Sequence, residues 1–171
     1  MLASITARAF TFDDIITFKK AAEQAKSLTL IVCPTYAPDL VVGGKHKPWG
    51  VSIAGVYPIL DVGVVRTLTG LRLDYLADRV WEPGLTVTPQ IEFTLGKKVD
   101  CAVFGIAGAI FPFNQGTKDS VGAIYGVGFG ANLLTYKSVS FGAGFKVEKW
   151  TPYDGVVWGV GCGLTVKPLN W

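Results

Sequence analysis

The chain has 171 residues, enough for one domain of ordinary size, and 50% of them are hydrophobic whereas only 17% are charged. Its 16 basic and 13 acidic side chains leave a net charge of +3, which is too small to indicate nucleic-acid binding. No uninterrupted apolar run reaches the roughly 18 residues that a membrane-spanning helix needs. If this apolar chain crosses a bilayer, it must therefore do so as a closed barrel.

The first predicted element is an amphipathic helix over residues 11–26, which divides the chain into an N-terminal segment, 1–27, and a barrel domain, 28–171. Thr11 can cap the helix, and Phe12, Ile15, Ile16 and Phe18 begin an apolar side at helical spacing. Such a helix packs on its own domain, lies in the plane of a membrane surface or covers the mouth of the barrel. The sequence alone leaves these three placements open.

Eight strands are predicted after the helix, because apolar residues alternate with small or polar ones along the segments, although the alternation of the first is poor. They span residues 28–36, 50–60, 62–76, 85–95, 99–113, 121–136, 139–150 and 156–166. Pro34 limits the pairing of the first strand. Pro58 and Gly70 predict local bends or bulges in the next two.

The links between the predicted strands alternate in length. Residues 37–49, 77–84, 114–120 and 151–155 form longer links, whereas residues 61, 96–98 and 137–138 form short ones. Consecutive links of an antiparallel meander lie at opposite ends of the sheet, so the long links collect on one rim. Short turns on one side and longer loops on the other are typical of outer-membrane barrels. The sequence therefore predicts an all-β fold, an antiparallel up-and-down eight-stranded β-barrel of transmembrane type.

The last three strands predict which face of the sheet points outward. One parity carries broad apolar side chains, and the other carries eight glycines: Gly126, Gly128, Gly130, Gly142, Gly144, Gly159, Gly161 and Gly163. In a water-soluble barrel the large side chains would fill the interior, so the reverse arrangement indicates that lipid surrounds the barrel. The volume left inside is open to an acyl chain, another subunit or an inward residue such as Leu60, Leu68 or Leu76. We expect the N-terminal helix to cover or enter the mouth on the short-turn side.

Polar side chains are also predicted to point inward, because they share the parity of the interior face: Arg72, Asp74, Gln90, Glu92, Asn132, Lys146 and Glu148. A charge kept from water needs a partner, so we expect ion pairs that tie the interior together. The alternative is a polar path for ions, which the narrow interior of an eight-stranded barrel disfavours.

Residues 28–171 resemble, as a class, the small eight-stranded outer-membrane β-barrel proteins in strand alternation, in loop asymmetry and in the terminal aromatic, Trp171. The resemblance implies an outer-membrane location, contact with the lipid bilayer, and a structural, binding or porin-like translocation role. In plan the chain is also similar to the outer-membrane lipid A palmitoyltransferases, which carry a catalytic histidine in the first long loop. That similarity implies a lipid-modifying acyltransferase with His46, Asp119 and Ser120 as candidates, although the Asp–Ser pair of that family lies in an earlier loop.

The remaining residues give little indication of chemistry. A solvated loop histidine and a turn-forming Asp–Ser pair are the simpler interpretation of the three catalytic candidates. His46 is the only histidine and no CxxC pair exists, so neither a metal nor a cofactor is predicted. Cys33, Cys101 and Cys162 are predicted to be small buried residues. A virion or assembly protein, using the barrel in a homo-oligomer or larger complex, stays open as another interpretation.

Overall fold

The computed structural model describes residues 16–18, 27–38, 41–42, 45–46, 49–76, 80–96, 98–111, 121–151 and 155–166. Within these ranges there are eleven strands: β1 (Ile16–Phe18), β2 (Leu28–Tyr36), β3 (Val41–Val42), β4 (Lys45–His46), β5 (Trp49–Val62), β6 (Val65–Leu76), β7 (Val80–Leu95), β8 (Val99–Ile110), β9 (Gly122–Tyr136), β10 (Val139–Trp150) and β11 (Gly155–Val166). No helix in the described ranges is long and apolar enough to span a membrane.

Eight of these strands, β2 and β5–β11, form a closed antiparallel barrel. Each of the eight pairs with the next of the eight along the chain, and the last strand, β11, pairs with the first, β2, to complete the circle. The predicted eight-stranded antiparallel barrel is therefore confirmed. The bounds of β2 and β10 are those predicted. The pairing of β2 with β11 lacks partners at Cys33 and Pro34, as the proline predicted.

The two rims of the barrel differ, with two corrections to the predicted links. The short link predicted at residue 61 is wrong, because Asp61 and Val62 belong to β5 and pair with Arg66 and Val65 of β6. Residues 63–64, 96–98 and 137–138 make short turns on one rim, which we call the short-turn rim. On the opposite rim, the long-link rim, the connection from β6 to β7 is only residues 77–79, so the long link predicted over 77–84 is wrong. Strand β7 begins five residues earlier than expected, since Pro83 and Gly84 still pair with Leu73 and Arg72 of β6.

The predicted N-terminal helix is wrong for Ile16–Phe18. These residues form β1, which pairs antiparallel with Leu95–Phe93 at the end of β7. Strand β6 begins only at Val65, opposite Ile91, so this end of β7 has an unpaired edge whose backbone groups β1 can satisfy. Residues 11–15 and 19–26 of the predicted helix lie outside the described residues. What the structure shows near the short-turn rim is thus a strand.

A bulge explains why one expected interior residue points outward. The register between β5 and β6 shifts between Pro58 and Leu60, at the proline that predicted an irregularity. The extra residue reverses the parity that follows it, and Leu60 is 56% exposed. Leu68 does face the interior.

The outer surface of the barrel is apolar on all eight strands. Large hydrophobic side chains are exposed on every one of them: Leu30, Val32, Tyr57, Leu71, Leu73, Leu85, Val87, Ile91, Val103, Tyr125, Val127, Phe141, Phe145, Trp158, Val160 and Leu164. The interior parity of β9–β11 carries the glycines instead. The strands thus turn their broad side chains away from the interior, as the alternation predicted.

Candidate functional site in the barrel interior

The interior is closed near the long-link rim by an apolar plug, which we define as Ile110, Ile124, Trp150 and Val157. All four side chains are fully buried, and Ala37 and Ile106 join the same cluster. Each plug residue lies within a few positions of a strand end on that rim, at the interior parity of its strand. The plug therefore blocks the axis of the barrel at one end.

A buried charge network lies directly beneath the plug. Arg72 Nε and Nη2 each donate to a carboxylate oxygen of Asp74 at 2.7 Å, and Arg72 Nη1 donates to Glu148 Oε1 at 2.7 Å. Ser52 Oγ donates to Asp74. The Arg72 and Glu148 side chains are 3% and 0% exposed, and a pair this deep must be fully hydrogen-bonded to offset the loss of hydration.

The plug and the network are joined through Trp150. Its indole Nε1 donates to Glu148 Oε2 at 3.1 Å, and its ring lies 5.4 Å from the Arg72 guanidinium carbon. Lys146 Nζ donates to Glu148 Oε1 at 3.1 Å, so Glu148 accepts from three neighbours. Four of the seven polar residues predicted to face the interior, Arg72, Asp74, Lys146 and Glu148, are thus brought together here.

The other three predicted polar residues lie toward the short-turn rim. Gln90 donates to Glu92, and Arg66 Nη1 lies 3.5 Å from Glu92 Oε1. Asn132 pairs in register with Gly142 and with Asp100 of β8. These residues form part of a polar mouth, separate from the charge network.

Between the network and the short-turn rim lies a cavity of about 660 Å³. An apolar belt follows the charge network, made of side chains from β2, β5, β6 and β8: Ile31, Ala54, Val56, Leu68, Ala102 and Phe104. Closer to the rim the lining changes to hydroxyls and amides: Ser27, Thr29, Gln90, Asn132, Thr135, Ser140 and Thr165. The cavity is therefore closed by the network, apolar in its middle and polar at its mouth.

Most of the interior glycines are explained by one of two kinds of close contact. A Cβ on Gly126, Gly142 or Gly144 would lie 2.2, 2.9 or 2.5 Å from a carbonyl oxygen of the adjacent strand. A Cβ on Gly128 would lie 2.3 Å from the Phe104 ring, and one on Gly159 would lie 2.6 Å from Cys33 Sγ. Glycine in a strand commonly marks such close approach. Backbone of the adjacent strand, brought close by the tight curvature of the barrel, and inward side chains therefore fill much of the volume that a glycine leaves.

The predicted catalytic residues are not brought together in the described part of the chain. His46 belongs to β4, whose two residues pair with β3 in the first long link, and its side chain is outside the description. Asp119 and Ser120 lie outside the described residues. Cys33 and Cys101 are buried as predicted, but Cys162 is exposed on the outer face, so that prediction is wrong for Cys162.

Several interior residues were missed from the sequence. Trp150 shares the parity of Lys146 and Glu148, a signal that could have placed it inside. Ser52 and Arg66 likewise lie at interior parity on β5 and β6. The fit of Phe104 against Gly128 depends on the register of two neighbouring strands. No local pattern indicates that register.

No protein-family model matches the chain, and no characterised protein matches it in sequence. Among solved structures, the crystal structure of neisserial surface protein A (NspA) is similar with a TM-score of 0.60 and 11% identity, over 85% of this chain and 98% of that one. A chain from the de novo design of transmembrane β-barrels is similar with a TM-score of 0.50 and 11% identity, over 84% and 98%. The attachment invasion locus protein Ail of Yersinia pestis has a TM-score of 0.44 and 12% identity, over 83% and 99%. The predicted likeness to small eight-stranded outer-membrane barrels is confirmed for the fold.

Proposed function

We propose that the protein is a β-barrel embedded in the outer membrane, where it has a structural or ligand-binding role and the lipid bilayer is its partner. The observation that carries the proposal is the apolar outer surface. Leu71 and Val160, on strands from different sides of the barrel, are 73% and 72% exposed. Soluble monomers rarely expose contiguous apolar patches larger than a few hundred Å², and here the exposed side chains encircle the protein.

Aromatic side chains border this apolar surface toward both rims. Tyr36 and Trp49 lie near the long-link rim with ring centroids 4.6 Å apart, and Trp158 is exposed close by. Tyr57 and Tyr136 are exposed toward the short-turn rim. Two aromatic girdles that flank an apolar band are typical of outer-membrane barrels. The likeness to the neisserial surface protein and to a designed transmembrane β-barrel is one of fold, and it supports a barrel of this type.

The interior favours a binding or structural role over translocation. In the described part of the chain, the plug and the charge network succeed each other along the axis near the long-link rim. An ion crossing there would have to displace buried side chains such as Trp150 and separate Arg72 from Glu148. The cavity below them, in contrast, has room for a ligand.

The test is whether the native fold requires a lipid-like solvent. Full-length chain is refolded from urea with and without detergent micelles, and each sample is run on a gel before and after boiling. We expect a faster-migrating folded band only with detergent, which boiling converts to the unfolded position. A folded, monomeric protein in buffer without detergent would overturn the proposal.

A further inference from the structure

The interior cavity has the dimensions of a small-molecule site. Its volume of about 660 Å³ falls inside the range of roughly 300–1,000 Å³ that such sites occupy. Along β10, Lys146 at the inner end and Ser140 at the mouth are six positions apart. At about 3.3 Å per residue and a strand tilt of roughly 40°, the cavity is roughly 15 Å deep.

The middle of the cavity is lined by apolar side chains on one side and by backbone without side chains on the other. Ile31, Leu68 and Phe104 supply side chains, whereas the opposite wall is glycine backbone. Two of these glycines would accept a Cβ without a clash. A Cβ on Gly130 would meet nothing closer than 3.9 Å, and one on Gly163 nothing closer than 3.5 Å. These distances are ordinary van der Waals contacts, to Ala143 O and the Phe104 ring at Gly130 and to Leu30 O and Ile31 at Gly163. A methyl group therefore fits at both positions without a clash, and a longer side chain there would extend into the cavity.

The mouth provides neutral hydrogen-bonding groups. Thr29 Oγ1 and Thr165 Oγ1 lie 2.9 Å apart, and Thr135 Oγ1 and Ser140 Oγ lie 3.1 Å apart. Each hydroxyl combines a donor with acceptor lone pairs, so these pairs can bind a further hydroxyl. A hydroxylated headgroup that reached the mouth would find partners on both sides of the β2–β11 closure.

The charges of the cavity and its inner end disfavour an anion. Three cations and three carboxylates line the cavity: Arg66, Arg72 and Lys146 against Glu92, Asp100 and Glu148. Two further buried carboxylates, Asp74 and Glu82, pair in register behind its inner end and give an excess of negative charge. An added carboxylate would increase this excess of negative charge, which raises the free energy of a bound anion.

We propose that the cavity binds one uncharged single-chain amphiphile, with its short alkyl chain in the apolar belt and its hydroxylated headgroup at the short-turn rim. The proposal rests on the proposed function, because it assumes that the barrel is embedded in lipid, and it adds the class of ligand that the barrel binds. The occupant enters from the short-turn side, because the plug and the charge network close the other end.

The experiment measures binding of n-octyl β-D-glucoside, below its micelle concentration, to the full-length barrel in phospholipid nanodiscs. Calorimetry is run on the unmodified protein, on Gly130→Leu and Gly163→Leu, which fill the cavity, and on Gly55→Leu. Gly55 is the matched control, since its partners Leu30 and Leu71 are on the outer face and a Cβ there meets nothing within 4 Å. Partition of the probe into lipid is common to all four samples and cancels.

We expect one bound equivalent for the unmodified protein and for Gly55→Leu, and loss of binding in both cavity variants. Octanoate should bind about tenfold more weakly than octyl glucoside, because its carboxylate adds to the excess of negative charge and cannot donate a hydrogen bond to the mouth. Binding that survives both cavity variants, or octanoate that binds as tightly, would overturn the proposal. Each variant is first checked for the heat-modifiable folded band. Absence of binding to a folded barrel thus overturns the ligand site and leaves the membrane assignment untouched.

Discussion

Arg72 and Glu148 join opposite walls of the barrel: Arg72 Nη1 lies 2.7 Å from Glu148 Oε1, on strands separated by three others in either direction around the sheet. The two residues are 76 positions apart in sequence. Because Arg72 also binds Asp74 on its own strand, one guanidinium links β6 to β10 across the interior. The pair therefore acts as a crosslink beneath the plug.

Removing the cation should be strongly destabilising. Arg72→Met leaves the buried Asp74 and Glu148 without their shared partner, so we expect a loss of about 3–5 kcal/mol in the free energy of unfolding. Urea titration of the barrel in lipid vesicles measures the change. Lys98→Met, on an exposed short turn, is the control and should stay within about 0.5 kcal/mol. A cost for Arg72→Met as small as that of the control would show that the pair does not hold the walls together.

A charge placed on the outer face should cost free energy according to its depth. We expect Val127→Arg, in the middle of β9, to destabilise the barrel in vesicles by about 2–4 kcal/mol. Tyr136→Arg, at the short-turn end of the same strand, should cost only about 0–1 kcal/mol. The same urea titration compares the two. Equal losses of unfolding free energy at the two positions would mean that they do not lie at different depths in a bilayer.

The strands of the barrel and their pairing could be predicted where the alternation of apolar residues and the lengths of the links were clear. The alternation placed both faces of β10, and those of β9 as far as Leu133, beyond which a register shift reverses the parity of β9. It misplaced Leu60, because a bulge reverses parity without any change in the local pattern. The sequence indicated a helix at Ile16–Phe18, because a short apolar run fits the periodicity of a helix as well as that of a strand. In the structure the unpaired edge of β7 favours the strand. The plug and the cavity arise from side chains of several strands that pack across the interior. The sequence pattern of any one strand does not show which side chains of the other strands it will meet.

The two glycines Gly130 and Gly144 provide a direct test of packing in the interior. They pair in register on β9 and β10 and both face inward. A Cβ on Gly144 would lie 2.5 Å from the Phe129 carbonyl oxygen, whereas one on Gly130 has open space to 3.9 Å. We therefore expect Gly144→Ala to cost about 1–3 kcal/mol by overpacking. Gly130→Ala should be neutral or stabilise by about 0.4–1 kcal/mol, since it restricts the unfolded chain. The reverse order would contradict the close approach of β9 to β10 at Gly144.

The short turn between β5 and β6 depends on backbone conformation alone. Gly63 has a φ of +59° and a Cβ there would meet nothing within 4 Å, so Gly63→Ala tests the left-handed conformation without a steric clash. We expect a loss of about 1–2 kcal/mol in unfolding free energy. Gly55→Ala, which also meets nothing but has no positive φ, should show no such loss. A neutral Gly63→Ala would indicate a different turn.

The most direct test of the membrane assignment uses a native cysteine. Cys162 is exposed in the middle of β11 on the outer face, beside Val160 and Leu164. In a background of Cys33→Ala and Cys101→Ala, a nitroxide is attached to Cys162 and the barrel is reconstituted in phospholipid vesicles. Collision rates with oxygen, which concentrates in lipid, and with a water-soluble nickel chelate are then measured by electron paramagnetic resonance. We expect frequent collisions with oxygen and few with the chelate, whereas a nitroxide that the chelate reaches as readily as oxygen does would contradict the membrane assignment.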